Sequence, residues 1–275
     1  MRHRGWQCTG KSVDNILEIK EAWLQGYFRD KQYDWDGQTW RRNLSELRNR
    51  DIAIMALGDV KQKKILDVGC GDGTYSYVLS CIGAEVSGQD LDQGRINQAN
   101  QRAYGLIQKN KGKFVCADAS KLRFESNSFD CVFSADFFEH IDLNTKRIVL
   151  KEIYRVLRPG GVLVIKTPNL KYLQLVINIK RMVRLLRGKF EKIYIANTNN
   201  NPDNEHHGLT TYEELRLELE ALFFHKPIFH HQLIQRNKFP SKLADLLFKL
   251  KRVSLSPDII ISTTKSIFVG ISDDL

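Results

Sequence analysis

The sequence lacks the long apolar runs that membrane-spanning helices need. Crossing a bilayer as a helix takes about 18 or more consecutive apolar residues, and no run approaches that length. Residues 1–11 are polar and basic, with no apolar core before a small-residue cleavage site. We therefore expect no secretory signal and predict a cytoplasmic protein.

Cysteine pairs with metal-binding spacing are also absent. The five cysteines are scattered along the chain: Cys8, Cys70, Cys81, Cys116 and Cys131. Three of them lie in or beside apolar runs, as is typical of buried, reduced thiols in a cytoplasmic protein. Internal repeats and low-complexity tracts are missing as well. With 42% hydrophobic and 27% charged residues, the composition predicts an ordinary globular protein.

Positive charge is in excess, with a formal net charge of +10. Such an excess attracts phosphate groups of nucleic acids, of anionic lipids or of nucleotide-like cofactors. Because the basic residues are not concentrated in one tail, the charge alone identifies no partner.

Strand and helix patterns alternate through the middle of the chain. Short apolar runs predict strands at residues 64–68, 84–89, 114–116, 129–134 and 162–166. Helical patterns separate them at residues 75–82, 92–104 and 144–157. Strands joined by helices of this length favour right-handed crossovers. The sequence thus predicts an α/β fold with a Rossmann-like, doubly wound, mostly parallel seven-stranded sheet.

The remaining segments are expected to surround this sheet. Residues 1–60 are predicted to form an N-terminal helical cap, and residues 61–275 the main domain with an inserted basic helix at about 170–195. A loop is expected at 197–204 and a helix at 212–222, capped by Thr210 or Thr211. Two closing strands are predicted at 229–231 and 266–271, with a short basic helix at 241–252.

The sharpest motif is a glycine-rich turn that follows the first predicted strand. Gly69, Gly71 and Gly73 follow Asp67 at the end of an apolar run. Glycines let the backbone approach a ligand closely, and the amides of the next helix then face that ligand. Dinucleotide sites share this geometry but prefer a Gly-x-Gly-x-x-Gly spacing. A carboxylate at Asp67 disfavours a pyrophosphate and suits a ligand with a cationic amine, so a nicotinamide oxidoreductase is the weaker alternative.

This turn resembles the first motif of class I S-adenosylmethionine-dependent methyltransferases, and four further segments continue the resemblance in order. They are residues 86–90, 116–119, 129–135 and 157–161. The group it is most similar to comprises the type 11/12 and ubiquinone-biosynthesis O-methyltransferases. The resemblance implies S-adenosylmethionine as cofactor. It implies cofactor contacts by Asp67, Gly69, Gly71, Asp90, Leu91, Asp118, Ala119 and Ala135.

Two of these acids have specific roles in the family. The acid at Asp90 is expected to hold both ribose hydroxyls, and Asp118 to contact the adenine amino group. Capping of a turn or of the following helix is the alternative role for each of them, although Asp92 is better placed to cap. Gln89 departs from the family, which often has a small or aliphatic residue there.

The segment after the fourth predicted strand, residues 136–141, is expected to border the transferred methyl group, because ligands lie at the carboxyl ends of strands in open α/β sheets. It contains a Glu-His pair, Glu139 and His140, similar to that of the ubiquinone-biosynthesis enzymes. His140 is the candidate catalytic residue, as a base that takes a proton from the acceptor. A role in orienting the loop is the alternative.

A metal site is a further alternative for this segment. Asp136, Glu139 and His140, with His206 or His207, resemble the metal-binding set of the small-RNA 3′-end methyltransferases. Asp136 is shorter than the Glu usual in that family, and a capping or structural role suits His206. The sequence therefore predicts no metal.

The basic segment at 170–195 has three interpretations: a lid helix with a solvated basic face, a helix on an anionic membrane, or a clamp on a phosphate backbone. For the whole chain we predict methyl transfer to an oxygen or nitrogen of a small-molecule, lipid-precursor or sugar acceptor. An RNA methyltransferase, or a non-catalytic protein that binds cofactor or nucleic acid, is the alternative. Nucleic acid is the less favoured partner, and the region after Thr167 is expected to contact substrate.

Overall fold

A computed structural model describes residues 53–110, 112–188, 206–225, 227–230 and 258–266. These residues build one seven-stranded sheet with helices along both of its faces. The strands are β1 (Lys64–Val68), β2 (Glu85–Asp90), β3 (Phe114–Cys116), β4 (Phe129–Ala135), β5 (Leu157–Pro168), β6 (Ile228–His230) and β7 (Asp258–Thr264). The predicted α/β architecture is confirmed.

Five α-helices connect or follow these strands. They are α1 (Thr74–Cys81), α2 (Gln93–Asn110), α3 (Leu143–Val156), α4 (Leu170–Leu186) and α5 (Tyr212–Ala221). A short 3₁₀ helix, Phe138–His140, lies between β4 and α3. None of the helices in the described ranges combines the length and apolarity required to cross a bilayer.

The strand order is β3-β2-β1-β4-β5-β7-β6, and β7 is antiparallel to both of its neighbours. The chain starts at β1 in the middle, moves outward to β3 and then returns to β4 beside β1. Parallel strands point the same way, so the loops after β1, β2, β3 and β4 lie together at one edge of the sheet. A switch of direction of this kind is where ligands bind in open α/β folds.

Burial on both faces explains the apolar composition of the central strands. Leu66 and Val132 pack into one core layer with helix α3, whereas Ile65 and Phe133 pack into the layer on the opposite face. All four side chains have no exposed surface. Such double-sided burial produces continuous apolar runs in place of alternation, and these runs made the strands recognisable in the sequence.

The structure differs from the sequence predictions in detail. The strand that pairs with β5 is Asp258–Thr264, a segment not predicted as a strand, and the predicted strand at 266–271 lies outside the described residues except for Ser266. Strand β5 begins at Leu157, and residues 158–161 form an irregularity inside it, since the register shifts between its pairs with Phe129 and Cys131. Ile148, an apolar residue of α3, is 48% exposed and lies outside the buried face of that helix. Most of the predicted N-terminal cap, the 197–204 loop and the 241–252 helix lie outside the described residues.

Candidate active site

The glycine-rich turn after β1 is fixed to the neighbouring strand by its own backbone. The amides of Gly69 and Cys70 both donate hydrogen bonds to the carbonyl oxygen of Gln89, at 2.9 and 3.2 Å. The φ angles of Gly69, Gly71 and Gly73 are 71°, 53° and 75°. Side chains with a Cβ rarely adopt this left-handed region, so the turn depends on glycine at these positions.

Two of the glycines also differ in what surrounds them. A Cβ at Gly69 would lie 2.6 Å from the ring of Phe137, closer than carbon atoms approach. A Cβ at Gly71 would meet only the side chain of Arg95, at 3.7 Å, and otherwise open space. The turn is therefore packed against Phe137 on one side and open on the other. This cradle fits a ligand that lies along the backbone, as the cofactor implied by the motif would.

Asp67 lies beneath the turn and is only 2% exposed. Its carboxylate accepts a hydrogen bond of 2.6 Å from the hydroxyl of Ser76 on α1. Burial, followed by the negative charge of Asp90, raises the pKa of Asp67 to about 7. A cationic group near the turn would stabilise the charged form, because opposite charges attract strongly in a desolvated site.

Asp90 and Asp92 divide two tasks at the end of β2. The Asp90 carboxylate accepts hydrogen bonds from the amides of Gly71, at 2.8 Å, and Asp92, at 3.0 Å. The Asp92 carboxylate accepts from the amides of Gly94 and Arg95, at the start of α2. Asp92 is thus the helix cap, and Asp90 lies beside the glycine turn, where the predicted ribose contact requires it.

The other predicted cofactor residues lie along the same edge of the sheet. Leu91 follows Asp90 and is 72% exposed, an unusual position for a large apolar side chain next to a carboxylate. Asp118 is exposed after β3, and its carboxylate accepts a hydrogen bond from the amide of Ser120 at 2.7 Å. Ala119 is half-buried in the same loop, and Ala135 ends β4 with 8% exposure. The fold brings the predicted set together from β1, β2, β3 and β4.

Gln89 has a positioning role that the sequence reasoning missed. Its side chain is fully buried. The amide nitrogen donates to the carbonyl oxygen of Asp118 at 2.8 Å, and the amide oxygen accepts from the backbone of Arg123 at 3.0 Å. Gln89 therefore ties β2 to the loop that carries Asp118 and Ala119. A polar residue in an otherwise apolar strand was the available signal.

Beyond β4 the chain enters a strained, charged segment. Asp136 has a φ angle of 54°, which is uncommon for a residue other than glycine. Its carboxylate forms an ion pair with the ammonium of Lys166, which is 4% exposed, and Asp258 lies 3.7 Å from the same ammonium. Although burial opposes it, the hydroxyl of Tyr75 and these two carboxylates raise the pKa of Lys166 above its ordinary value. The sequence analysis did not identify Lys166.

Glu139 is buried next to this ion pair, with 2% exposure. Its carboxylate accepts a hydrogen bond of 3.0 Å from the hydroxyl of Thr167. Burial, followed by the charge of Asp136, raises the pKa of Glu139 to about 7. Thr167 itself has no exposed surface and belongs to β5. Its side chain thus supports Glu139 from the strand.

His140 is exposed at the end of the 3₁₀ helix, and a distant loop places His206 next to it. The two imidazole centroids are 4.8 Å apart, with 63° between the ring planes. In that loop the amide of Gly208 donates a hydrogen bond of 2.8 Å to the carbonyl oxygen of Glu139. The buried ammonium of Lys146 donates to the carbonyl oxygen of Gly208. These contacts fix the His206 loop against the segment that carries the predicted catalytic residue.

Residues 66–165 match the family model described as a methyltransferase domain. The chain is 40% identical over 108 residues to the chloroplastic tocopherol O-methyltransferase of Arabidopsis thaliana, which covers 39% of this chain and 30% of that protein. It is 36% identical over 116 residues to the demethylmenaquinone methyltransferase of Clavibacter sepedonicus, with 42% and 45% of the two chains covered. The chain thus spans less than half the length of these relatives.

Solved structures share the fold at lower identity. One is the phosphoethanolamine N-methyltransferase 2 of Haemonchus contortus, in complex with phosphomonomethylethanolamine and S-adenosylhomocysteine. It superposes with a TM-score of 0.54 at 22% identity, covering 80% of this chain and 53% of that one. At 22% identity, this similarity shows only a shared fold. The match to the methyltransferase domain model is confined to residues 66–165.

Proposed function

We propose that this protein, whose residues 66–165 match a methyltransferase domain model, is a class I S-adenosylmethionine-dependent methyltransferase that transfers a methyl group to an oxygen or nitrogen of a small-molecule or lipid-type acceptor. The observation that carries the proposal is the cradle formed by Gly69, Gly71 and Asp90. Its backbone is open on one side, and a carboxylate lies at the neighbouring strand end.

S-adenosylmethionine supplies a methyl group on a positively charged sulfur. With the cofactor bound, an acceptor oxygen or nitrogen would take this methyl group, S-adenosylhomocysteine would leave, and the acceptor would give up a proton. We assign Asp90 to the ribose hydroxyls and Asp118 to the adenine. The hydrogen bonds from Gly71 to Asp90 and from Gln89 to the carbonyl oxygen of Asp118 support these assignments. Much of the rate of such a displacement comes from holding the reactants in line. Hydrogen bonds of buried side chains, which hold the loops of the site in place, suit that task.

In this proposal, His140 is the base that takes the proton from the acceptor. The imidazole is exposed and follows β4, at the same edge of the sheet as the glycine turn. Histidine accepts protons near neutral pH. The buried Glu139 and the ion pair of Asp136 with Lys166 keep the segment in place.

Helix α4 supports a lipid-type acceptor. Leu175, Ile179, Met182 and Leu186 recur at the spacing of one helical face and are 38%, 47%, 56% and 80% exposed, respectively. By helical spacing, the other side of this helix carries the basic residues Lys180, Arg181, Arg184 and Arg187. An exposed apolar stripe on one face and basic residues on the other are typical of helices that lie on anionic membranes.

The position of α4 connects this surface to the site. The helix begins directly after β5 and is capped by Asn169, whose side chain accepts from the amide of Lys171. Thr167, two residues before the cap, contacts Glu139. A membrane under α4 would therefore bring a lipid acceptor close to the proposed methyl-transfer site.

Calorimetric titration with S-adenosylhomocysteine, with NADH as the control ligand, tests the cofactor assignment. We expect binding of the former alone. Transfer of a labelled methyl group to quinol, phenol, amine and sugar acceptors, with and without vesicles, then tests the acceptor class. Preferential binding of NADH, or transfer only to RNA, would contradict the proposal.

His140→Gln separates catalysis from binding. We expect this variant to bind S-adenosylhomocysteine like the unmodified protein, to transfer the methyl group more slowly, and to lose the fall in rate at acidic pH that protonation of a catalytic base produces. An unchanged profile would assign His140 to orientation of the loop.

A further inference from the structure

Glu139, His140 and His206 bring three ligand atoms together, each pair within 4.8 Å. One is a carboxylate oxygen and two are imidazole nitrogens. His206 is 66 positions after His140 in the sequence, so the fold alone creates this cluster. The sequence favoured a capping or structural role for His206 and no metal, and the geometry changes that expectation.

We propose that Glu139, His140 and His206 bind a divalent transition-metal cation. Two imidazoles and one carboxylate are a common protein ligand set for zinc, iron or manganese, and sites with three protein ligands leave a position for water or substrate. Around a centre with bonds of about 2.1 Å, neighbouring ligand atoms lie roughly 3–3.5 Å apart. Side-chain rotations that move the ligand atoms by less than about 2 Å would therefore complete the site.

The carboxylate of Glu139 is already oriented by its surroundings. Thr167 on β5 donates a hydrogen bond to one of its oxygens, at 3.0 Å. Hydrogen bonds from a neighbouring group to a metal-binding side chain fix the orientation of that side chain and are typical of metal sites. Because Glu139 is 2% exposed, charge compensation by a cation would stabilise it strongly.

Gly208 allows the loop that carries His206 to pack closely against the backbone of Phe138 and Ile141. A Cβ at Gly208 would lie 1.8 Å from the carbonyl oxygen of Ile141 and 2.7 Å from that of Phe138. Only glycine permits this approach, and its amide bonds to the carbonyl oxygen of Glu139. This close contact keeps His206 beside the 3₁₀ helix.

Asp136 is excluded from the ligand set by its own contacts. Its carboxylate is paired with the buried Lys166, so three side chains and not four form the proposed site. Its negative charge still favours a nearby cation.

Bound metal would change the role of His140. A nitrogen whose lone pair binds a cation does not accept a proton, so the base predicted for His140 and the ligand proposed here exclude each other. The cation would instead lower the pKa of a coordinated acceptor hydroxyl. This use of the cation rests on the proposed methyl transfer, whereas the binding of the cation does not.

Metal-stripped protein titrated with Zn²⁺ by calorimetry, and with Mn²⁺ followed by electron paramagnetic resonance, tests the proposal. We expect one site per chain, with affinity reduced at least tenfold in Glu139→Gln and in His206→Ala. His206→Cys replaces the lost ligand and should restore Zn²⁺ binding. His207→Gln, a neighbour outside the cluster, is the matched control and should bind like the unmodified protein.

Titration with S-adenosylhomocysteine is repeated on every variant to show that the fold and the cofactor site persist. Equal metal affinity in the unmodified protein and His206→Ala, or equal loss in His207→Gln, would overturn the metal site. Neither result would affect the proposed function, which is tested separately by binding of S-adenosylhomocysteine against NADH and by transfer of a labelled methyl group to the acceptors.

Discussion

The carboxylate of Asp90 accepts a hydrogen bond of 2.8 Å from the amide of Gly71. This contact joins the end of β2 to the glycine turn after β1 across 19 positions of sequence. It orients the acid at the end of β2 toward the open side of the turn. The two features on which the proposed cofactor site rests are thus a single structural unit.

Asp90→Ala is expected to weaken binding of S-adenosylhomocysteine about 10- to 100-fold, since hydrogen bonds to a charged group contribute about 1.5–3 kcal/mol each. Calorimetric titration measures the change. Asp92→Ala is the matched control, because Asp92 caps α2. It should cost about 1 kcal/mol of stability and leave affinity unchanged. Equal losses of affinity in both variants would assign Asp90 a purely local structural role.

Gly69→Ala is expected to abolish cofactor binding and to destabilise the protein. The new Cβ would lie 2.6 Å from the ring of Phe137 in a backbone with φ of 71°. Gly188→Ala is the control, because Gly188 has a similar φ of 68° but no atom near its Cβ position. Its cost should be only the conformational one, about 1–2 kcal/mol. Urea unfolding compares the two, and similar midpoints would contradict the crowding at Phe137.

Asp67→Asn should change how stability depends on pH. The pKa of Asp67 in the folded protein is raised to about 7, so the unfolded chain releases this proton at lower pH than the folded one. Stability relative to Asp67→Asn should therefore fall as pH rises from about 4 to about 7, by on the order of 2–4 kcal/mol, and stay constant above. Urea unfolding of both proteins at several pH values measures the difference. A difference that does not vary with pH would contradict the raised pKa.

Substitution of Met182 and Leu186 together by glutamate should reduce binding to vesicles that contain anionic lipid at least about tenfold, since each side chain contributes roughly 1.5–3 kcal/mol when buried. Co-sedimentation at low and moderate salt measures it. The matched control replaces Ile148 and Leu217, also exposed at 48% and 56%, by glutamate. It makes the same change in charge on helices α3 and α5. Equal reduction in both double variants would leave α4 without a specific membrane role.

The sequence by itself determined the strands, the cofactor turn and its neighbouring acid. Burial on both faces makes β1 and β4 apolar runs, and the turn after β1 needs glycine for its positive φ angles. Both are local requirements, readable without knowing the fold. The position of Asp90 follows from the length of one helix between two parallel strands, so spacing was sufficient to predict it.

Tertiary structure alone decided which segment pairs antiparallel with β5 and which side chains surround His140. The segment Asp258–Thr264 was not predicted as a strand from its sequence, and its pairing with Val162–Pro168 of β5 defines it as β7. Asp136 turns to Lys166 because a buried ammonium needs a counter-charge. His206 reaches His140 because Gly208 permits two backbones to touch. Contacts between residues distant in sequence depend on how the whole chain packs, and no local pattern encodes them.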